Sequence, residues 1–209
     1  MKTYLIVFFL LMSGLIARSQ SRAEAIAAVE KIQDVQEIEA LQKENPKWHV
    51  FDRIFWSADS VKHPDMLAAP IGEMIVEPKK PTYDQCVYKV LEEREIELCR
   101  VQYIFLKGTE YSIEKIDSLR KVILKKYRRG VSFDALVKEY TMDGNKSGDL
   151  GWYHHGMMVK EFEDATMNAK KGEIFTVDVP ENKWYYVVLK THDNRKERAK
   201  VAVMVRYLY

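Results

Sequence analysis

The sequence predicts an α+β fold with an antiparallel sheet, and two observations support this prediction. The segments from Val101 to about residue 190 follow the order strand, helix, helix, glycine loop, helix, strand, strand. A short proline-bearing turn joins the last two strands, as it does in antiparallel hairpins. We therefore predict one α+β domain over residues 98–200, a smaller helical and hairpin region over residues 20–97, and a final strand over residues 201–209.

The N-terminus has the pattern of a secretory signal peptide. Lys2 precedes an apolar run, and small residues precede a cleavage point after Ser19. Arg18 comes too early for the roughly 20 apolar residues that a transmembrane helix needs, although an uncleaved anchor is the alternative. We predict that residues 1–19 are removed and that the mature chain is periplasmic or secreted, with no membrane attachment.

The composition indicates a globular protein without a preference for charged partners. The formal net charge is only +2, which does not favour nucleic acid or a membrane surface as a partner. Hydrophobic residues make up 47% of the chain, enough for a packed core. Cys86 and Cys99 are permitted to form a disulfide in an exported protein, and two buried thiols are the alternative.

A single helix is predicted for residues 21–44, which are rich in helix formers and contain no glycine or proline. Apolar side chains recur there at every third residue, so they would wind slowly around the helix and be covered by several other segments. Asn45 and Pro46 are expected to end this helix, because a residue that precedes proline avoids the helical conformation.

Two segments one hundred residues apart resemble each other, one beginning at Ile71 and the other at Lys171. Each contains Gly-Glu, a short apolar stretch, a proline-bearing turn, a β-rich strand and a charged tip. A further strand follows each copy, from Val101 and from Val201. The pattern predicts a duplicated hairpin whose first copy has diverged, and chance similarity of two hairpins is the alternative.

Three helices are predicted within the larger domain. Ser112 and Ser132 are suited to begin the first two, because a serine hydroxyl accepts a hydrogen bond from a free N–H of the first turn. Gly130 is suited to end the first of them. The third helix is predicted in "KEFEDATMNAKK", just before Gly172.

The loop "DGNKSGDLGWYHHG", which starts at Asp143, first suggests a calcium site. Oxygen-bearing residues occupy its first, third and fifth positions and Gly148 the sixth, as in an EF-hand. The twelfth position should then be glutamate, but it is His154. His154 and His155 also lack a third ligand at zinc spacing, and no serine lies in a nucleophile elbow. We therefore predict no metal site and no serine hydrolase.

The second half of the loop carries a different signature, which continues through "GDLGWYHHGMMVKEFEDATMNAKKGEI". A Gly-Asp-Leu-Gly-Trp run is followed by a glycine, a methionine, the Phe162-Glu163 pair that opens a helix, and Lys-Gly-Glu. In these motifs, and in the order of the flanking elements, about a hundred residues resemble the parvulin family of peptidyl-prolyl cis-trans isomerases. The resemblance implies a parvulin-like antiparallel sheet with surrounding helices, and prolyl isomerase activity.

By this resemblance, Leu150, Met158 and Phe162 form a pocket for the substrate proline. Prolyl isomerisation twists an amide over a barrier of about 20 kcal/mol and breaks no covalent bond, so it needs neither a metal nor a cofactor. A leucine, a thioether and an aromatic ring suit contact with a pyrrolidine ring. The alternative is that these three side chains are simply core.

The chain departs from the family at the residues implied to be catalytic. Parvulins usually carry one histidine on the first strand and another near the last, and Tyr103 and Tyr186 occupy these positions here. Either tyrosine can donate a hydrogen bond across the site. Asp143 lies close to the family's cysteine or aspartate after the second helix, where it would polarise the substrate amide or accept a hydrogen bond from a tyrosine.

The function expected from the sequence is an exported parvulin-type isomerase that assists protein folding in the cell envelope. Its partners would be proline-containing polypeptides without phosphate, because the segment "LKGTEYSIEKID" lacks the arginines that bind a phosphoserine. The missing histidine pair favours an alternative, a catalytically weak chaperone or peptide-binding module. A third hypothesis is a homodimer assembled through the final strand "VAVMVRYLY", if that strand has an unpaired edge.

Overall fold

The computed structural model describes residues 22–77 and 84–208, and the predicted signal peptide, residues 1–19, lies outside them. The described residues form both helices and antiparallel strands, which confirms the α+β class. The helices are α1 (residues 22–31), α2 (Ile38–Glu44), α3 (Pro64–Ala68), α4 (Ile113–Arg128), α5 (Phe133–Tyr140) and α6 (Lys160–Asn168). The strands are β1 (His49–Phe55), β2 (Met74–Val76), β3 (Asp84–Lys107), β4 (Asp149–His154), β5 (Ile174–Val179), β6 (Trp184–Lys190) and β7 (Arg195–Leu208).

The described residues form two compact units. Unit 2 is Ile96–Glu197, and unit 1 combines the described residues up to Glu95 with those from Arg198 onward. The final strand, which the sequence analysis set apart, is thus part of unit 1. Within the described ranges, no helix is both long and apolar enough to span a membrane.

The sheet of unit 1 has the order β1-β7-β3-β2. β1 runs antiparallel to β7, with Val50 opposite Val205, and β2 runs antiparallel to β3, with Ile75 opposite Tyr88. β7 therefore has a neighbour on each side within its own chain. The unpaired edge that motivated the homodimer hypothesis is not found on this strand.

The prediction of a single helix over residues 21–44 was wrong, because residues 32–34 are not helical and separate α1 from α2. A tertiary contact stabilises this break. The buried Lys89 of β3 donates hydrogen bonds of 2.7 Å from Nζ to the backbone oxygens of Glu30 and Ile32. The break allows both helices to pack on one face of the sheet. That cluster contains Ala25, Val29, Ile32, Ile38, Leu41, Val203 and Val205.

The two hairpins predicted to be copies share their geometry. Gly72 and Gly172 have φ angles of 89° and 86°, a conformation that favours glycine. Their N–H groups donate to the backbone oxygens of Val90 and Lys190, each at 2.8 Å. Strands β2 and β3 consequently pair in the same register as β5 and β6, displaced by one hundred residues.

The similarity extends beyond the hairpin to the order of elements in the whole of unit 1. Unit 2 follows the order β3, α4, α5, β4, α6, β5, β6, and unit 1 follows α1, α2, β1, α3, β2, β3, β7. The two orders become the same when β7 is placed first. The sheet orders also correspond, since β4-β3-β6-β5 in unit 2 matches β1-β7-β3-β2 in unit 1. Unit 1 therefore repeats the architecture of unit 2 with its first strand supplied by the end of the chain.

In unit 2, helices cover both faces of the sheet. α4 and α5 cover the first face, where the core contains Ile104, Leu106, Ile116, Ile123, Phe133, Leu136, Val137, Tyr185 and Val187. α6 covers the second face, where the core contains Cys99, Val101, Tyr103, Tyr153, Phe162, Met167, Val177 and Val188. Alternate residues of one strand point to opposite faces, so neighbouring tyrosines such as Tyr185 and Tyr186 are separated by the sheet.

The predicted helix starts in unit 2 are confirmed. The Ser112 hydroxyl oxygen accepts a hydrogen bond of 3.4 Å from the Lys115 N–H, and the Ser132 hydroxyl oxygen accepts one of 3.3 Å from the Ala135 N–H. Gly130, just after α4, has a φ of 91°. These caps fix where α4 and α5 begin, and hence the position of the loop that follows α5.

The structure decides between the two alternatives for the cysteines. Cys86 and Cys99 are both buried, lie in different units and form no disulfide. The buried Lys190 donates a hydrogen bond of 2.8 Å from Nζ to the Cys99 sulfur. The thiols are therefore core groups.

Candidate functional site

A cavity of about 590 Å³ opens on the second face of the unit 2 sheet. Strands β3 and β6 form its floor, and the loops that precede β4 and α6 form its rim. The residues that line it are Tyr103, Phe105, Lys107, Asp143, Leu150, Met157, Met158, Val159, Phe162, Trp184 and Tyr186. All six residues that the resemblance implied for the site are among them.

Three aromatic rings form the base of the cavity. The ring centroids of Tyr103 on β3 and Tyr186 on β6 are 6.0 Å apart, and the Phe162 centroid is 5.0 Å from Tyr186 and 6.4 Å from Tyr103. All three pairs pack edge to face, an arrangement that stabilises aromatic clusters. Phe162 is only 3% exposed, so it is a core residue that also lines the cavity, whereas Leu150 and Met158 are half-buried and accessible from it.

Asp143 and Tyr103 form a hydrogen-bonded pair at one wall of the cavity. The Tyr103 hydroxyl donates to Asp143 Oδ2 over 2.5 Å. The other carboxylate oxygen, Oδ1, accepts hydrogen bonds of 3.1 Å from the Thr141 hydroxyl and from the Asn145 N–H. The carboxylate is therefore held in place from both of its oxygens, and it orients the tyrosine.

Both tyrosine hydroxyls remain protonated at neutral pH. Burial, followed by the hydrogen bond to Asp143, raises the pKa of Tyr103 well above its usual range. Burial, followed by the negative charge of Asp143, raises the pKa of Tyr186 to about 12. The polar part of the site is thus one carboxylate with two neutral hydroxyl groups.

The alternating oxygens that first suggested calcium form hydrogen bonds with one another. The N–H of Asn145 donates to the Asp143 carboxylate, the Ser147 hydroxyl donates to the Asn145 side-chain oxygen at 2.7 Å, and the Asp149 N–H donates to the Ser147 hydroxyl oxygen. Such turns, in which a side chain bonds two residues along the chain, explain the alternation without a ligand. Over the described ranges, no three His, Cys, Asp or Glu side chains are grouped as metal ligands.

Gly148 is required for the close approach of this loop to β3. Its φ is 64°, and an added Cβ would lie 2.5 Å from the Tyr103 backbone oxygen and 2.9 Å from a Val137 methyl group. The Gly148 oxygen accepts a hydrogen bond of 2.9 Å from the Tyr103 N–H. The glycine therefore fixes the loop against the strand that carries Tyr103.

We expect Gly148→Ala to destabilise the protein by about 2–4 kcal/mol, because the Cβ is strained by its positive φ and clashes with rigid backbone. Urea denaturation followed by tryptophan fluorescence measures this change. Gly144→Ala is the matched control in the same loop, since a Cβ there meets nothing within 4 Å. Equal stability of the two variants would show that the loop can move away from β3 at no cost.

Two further aromatic residues, not predicted from the sequence, form a wall of the cavity beside the implied residues. Phe105 lies opposite Tyr186 in the β3–β6 ladder, with ring centroids 5.4 Å apart, and Trp184 lies 6.5 Å from Phe105. The sequence did contain a signal for them, because every second side chain of a strand lies on the same face of the sheet. If Tyr103 and Tyr186 face the cavity, then Phe105 and Trp184 must face it as well.

Comparison with known proteins matches this unit to one family. Residues 86–195, more than half of the chain, match the family model of the PPIC-type PPIASE domain. The Foldase protein PrsA of Geobacillus kaustophilus is 35% identical over 88 residues, which are 41% of this chain and 31% of that protein. The Putative peptidyl-prolyl cis-trans isomerase Cbf2 of Campylobacter jejuni is 31% identical over 124 residues, which are 58% of this chain and 44% of that protein.

A solved structure gives a similar match. The peptidylprolyl isomerase PrsA from Bacillus anthracis is 29% identical, with a TM-score of 0.38, over 46% of this chain and 42% of that one. The chain spans less than half the length of the two proteins, PrsA and Cbf2, that it matches in sequence.

Proposed function

Because this chain belongs to the parvulin, or PPIC-type, family of peptidyl-prolyl cis-trans isomerases, we propose that its unit 2 cavity binds proline-containing polypeptides and accelerates their isomerisation. One observation carries the proposal. An apolar cavity unites Leu150, Met158 and Phe162 with two protonated tyrosines and a carboxylate. A proline ring requires the apolar groups, and a twisting amide benefits from the polar groups at its edge.

The apolar base of the cavity favours the twisted amide over the planar one. Resonance in a planar amide places partial negative charge on the oxygen, and this charge is lost when the bond rotates. Removing water from around the amide therefore costs the planar form more than the twisted form. An interaction that is stronger in the transition state than in the ground state raises the rate, and no covalent step is needed.

We assign different roles to the three polar groups. Tyr103 has one hydroxyl proton, which it donates to Asp143, so Asp143 serves to hold Tyr103 in place. The Tyr186 hydroxyl, protonated and on the adjacent strand, is the group that donates to the substrate amide. The two tyrosines thus replace the histidine pair of the family with groups that do not titrate near neutral pH.

The clients are proposed to be unphosphorylated segments of other proteins. The cavity residues that the structure describes include one basic group, Lys107, and no arginine. Lys107 Nζ is 3.1 Å from Glu110 Oε1, so its charge is already balanced. A doubly charged phosphate would need an uncompensated basic cluster.

We further propose that the protein acts after export, as a folding factor of the cell envelope. The signal-peptide pattern of residues 1–19 supports this location. Two of the matched relatives are named a foldase and a putative prolyl isomerase. The second candidate function is a chaperone that binds proline segments without turnover, and the replacement of both histidines by tyrosines favours it.

An isomerisation assay on residues 20–209 tests the proposed function directly. The substrate is an unphosphorylated proline peptide, whose uncatalysed isomerisation takes tens of seconds at 25 °C, so a modest acceleration is visible. We expect acceleration that saturates with peptide. Saturable peptide binding by folded protein without acceleration would establish the chaperone instead. If the folded protein neither bound the peptide nor accelerated its isomerisation, both proposed functions would be contradicted.

The rate of catalysed isomerisation is expected to be nearly constant between about pH 6 and 9. The raised pKa values of Tyr103 and Tyr186 keep both hydroxyls protonated over this interval, whereas a catalytic histidine would titrate near 6.5. The measurement is kcat/KM as a function of pH. A step of more than about threefold near pH 6.5 would indicate a catalytic histidine and contradict the assigned roles.

A further inference from the structure

Glu163 is a buried carboxylate beside the cavity that lines no part of it. It is 6% exposed and follows Phe162 on α6. Its Oε1 accepts a hydrogen bond of 2.8 Å from the Met158 N–H, and its Oε2 accepts one of 3.0 Å from the Gly156 N–H. The His155 Nδ1 lies 3.6 Å from the same Oε2. One side chain therefore bonds the backbone of the preceding loop at two points.

The carboxylate is held in its charged form. Burial by itself would raise the pKa of Glu163, but the N–H donors of Gly156 and Met158 outweigh it and lower the pKa below the usual value. Hydrogen bonds from N–H groups to an ionised carboxylate are about twice as strong as bonds between neutral groups. The two bonds to Glu163 are therefore strong attachments for this loop.

The attached loop, residues 156–159, forms the outer rim of the cavity, and we call it the lid segment. Met157, Met158 and Val159 all line the cavity. Met157 is 48% exposed, although it is a large apolar residue. The position of the lid segment thus sets the distance between Met158 and the Phe162 ring, between which the substrate proline would lie.

We propose that Glu163 is a positioning residue that holds the lid segment over the proline cavity and so determines how tightly the peptide binds. This inference rests on the proposed function, because it assumes that the cavity takes proline peptides. Glu163 touches neither the substrate nor the reacting amide. Its loss should therefore weaken substrate binding much more than it slows the bond rotation.

The test compares Glu163→Gln with Glu161→Gln in the complete mature chain. Glutamine has nearly the shape of glutamate, but it loses the charge and replaces one acceptor with a donor that faces an N–H group. Glu161 is exposed on the same helix, two residues away, so it controls for the loss of a negative charge. We expect Glu163→Gln to raise KM about tenfold with kcat changed less than about threefold, and Glu161→Gln to change neither.

Amide hydrogen exchange measured by NMR distinguishes a positioning role from a general role in the fold, because only a positioning role would change the exchange rates of the lid segment alone. In Glu163→Gln the Gly156 and Met158 amides should exchange at least about ten times faster, while the Tyr103 amide in β3 should be unchanged. If Glu163→Gln does not fold, Glu163→Asp replaces it, because aspartate keeps the charge but is one methylene too short to reach both N–H groups.

The outcomes separate this inference from the proposed function. Unchanged KM and unchanged exchange at Gly156 and Met158 would overturn the role of Glu163, even in an active isomerase. If the wild-type protein binds the peptide without isomerising it, the proposed activity fails, and the peptide Kd takes the place of KM. A uniform increase in exchange across unit 2 would show a role in the fold alone and would also overturn the inference.

Discussion

Phe162→Ala is expected to abolish most of the catalysis, lowering kcat/KM by at least about a hundredfold, because it removes the ring on which we propose that the substrate proline packs. Phe162 is in contact with both tyrosines at the base of the cavity, so its loss also loosens the polar part of the site. The variant should lose about 3–5 kcal/mol of stability as well, as buried phenylalanines do. We would measure kcat/KM at about 10 °C, where uncatalysed isomerisation takes minutes.

The chain offers a closely matched control for the loss of stability. Phe133 is 4% exposed, against 3% for Phe162, but it packs on the opposite face of the same sheet. Phe133→Ala should therefore cost a similar free energy of unfolding and leave kcat/KM within about threefold of the wild type. An equal loss of activity in both variants would mean that the activity falls because the protein is less stable, and it would contradict the assignment of the cavity as the active site.

Removing residues 198–209 is expected to unfold unit 1 and to leave unit 2 folded. The deletion takes away β7, which lies between β1 and β3 and contributes Val201, Val203, Val205 and Tyr207 to the buried core. At about 1.5–3 kcal/mol for each buried apolar side chain, this loss matches the total stability of a small domain, about 5–15 kcal/mol. The Tyr207 hydroxyl also donates a hydrogen bond to the buried Gln85 side chain, which would be left without it.

Hydrogen exchange followed by mass spectrometry measures the protection of each segment of the chain separately, and so tests this expectation. Peptides from residues 22–95 should lose their protection, while peptides from residues 101–190 keep it and act as an internal control. Val203→Asp, which buries a charge in the same strand, should reproduce the loss in a chain of full length. Continued protection of β1 in the truncated chain would contradict the role of β7 as the strand that completes unit 1.

Features that depend on chain neighbours were predictable from the sequence. The caps of α4 and α5 were predicted because a serine reaches an N–H only three residues ahead. The end of α2 before Asn45 followed from the proline at the next position. The repeated hairpin was visible because Gly72 and Gly172 both need the same unusual φ. Three of the six implied cavity residues, Leu150, Met158 and Phe162, lie in one continuous motif, and the other three were implied by the order of the flanking elements in the family resemblance.

Features that depend on distant partners needed the tertiary structure. The break after α1 is stabilised by Lys89, which lies 57 residues beyond Ile32. The resemblance implied a tyrosine as a hydrogen-bond donor to Asp143, but only the structure shows that the donor is Tyr103, 40 positions away, and not Tyr186. The place of β7 between β1 and β3 is of the same kind, because strand periodicity specifies which face of a strand is buried but not which strand lies beside it. The sequence by itself thus determined the α+β class, the helix starts of unit 2 and the repeated hairpin. Only the tertiary structure decided where α1 ends and which strands lie beside β7, because these features depend on contacts between segments that are far apart along the chain.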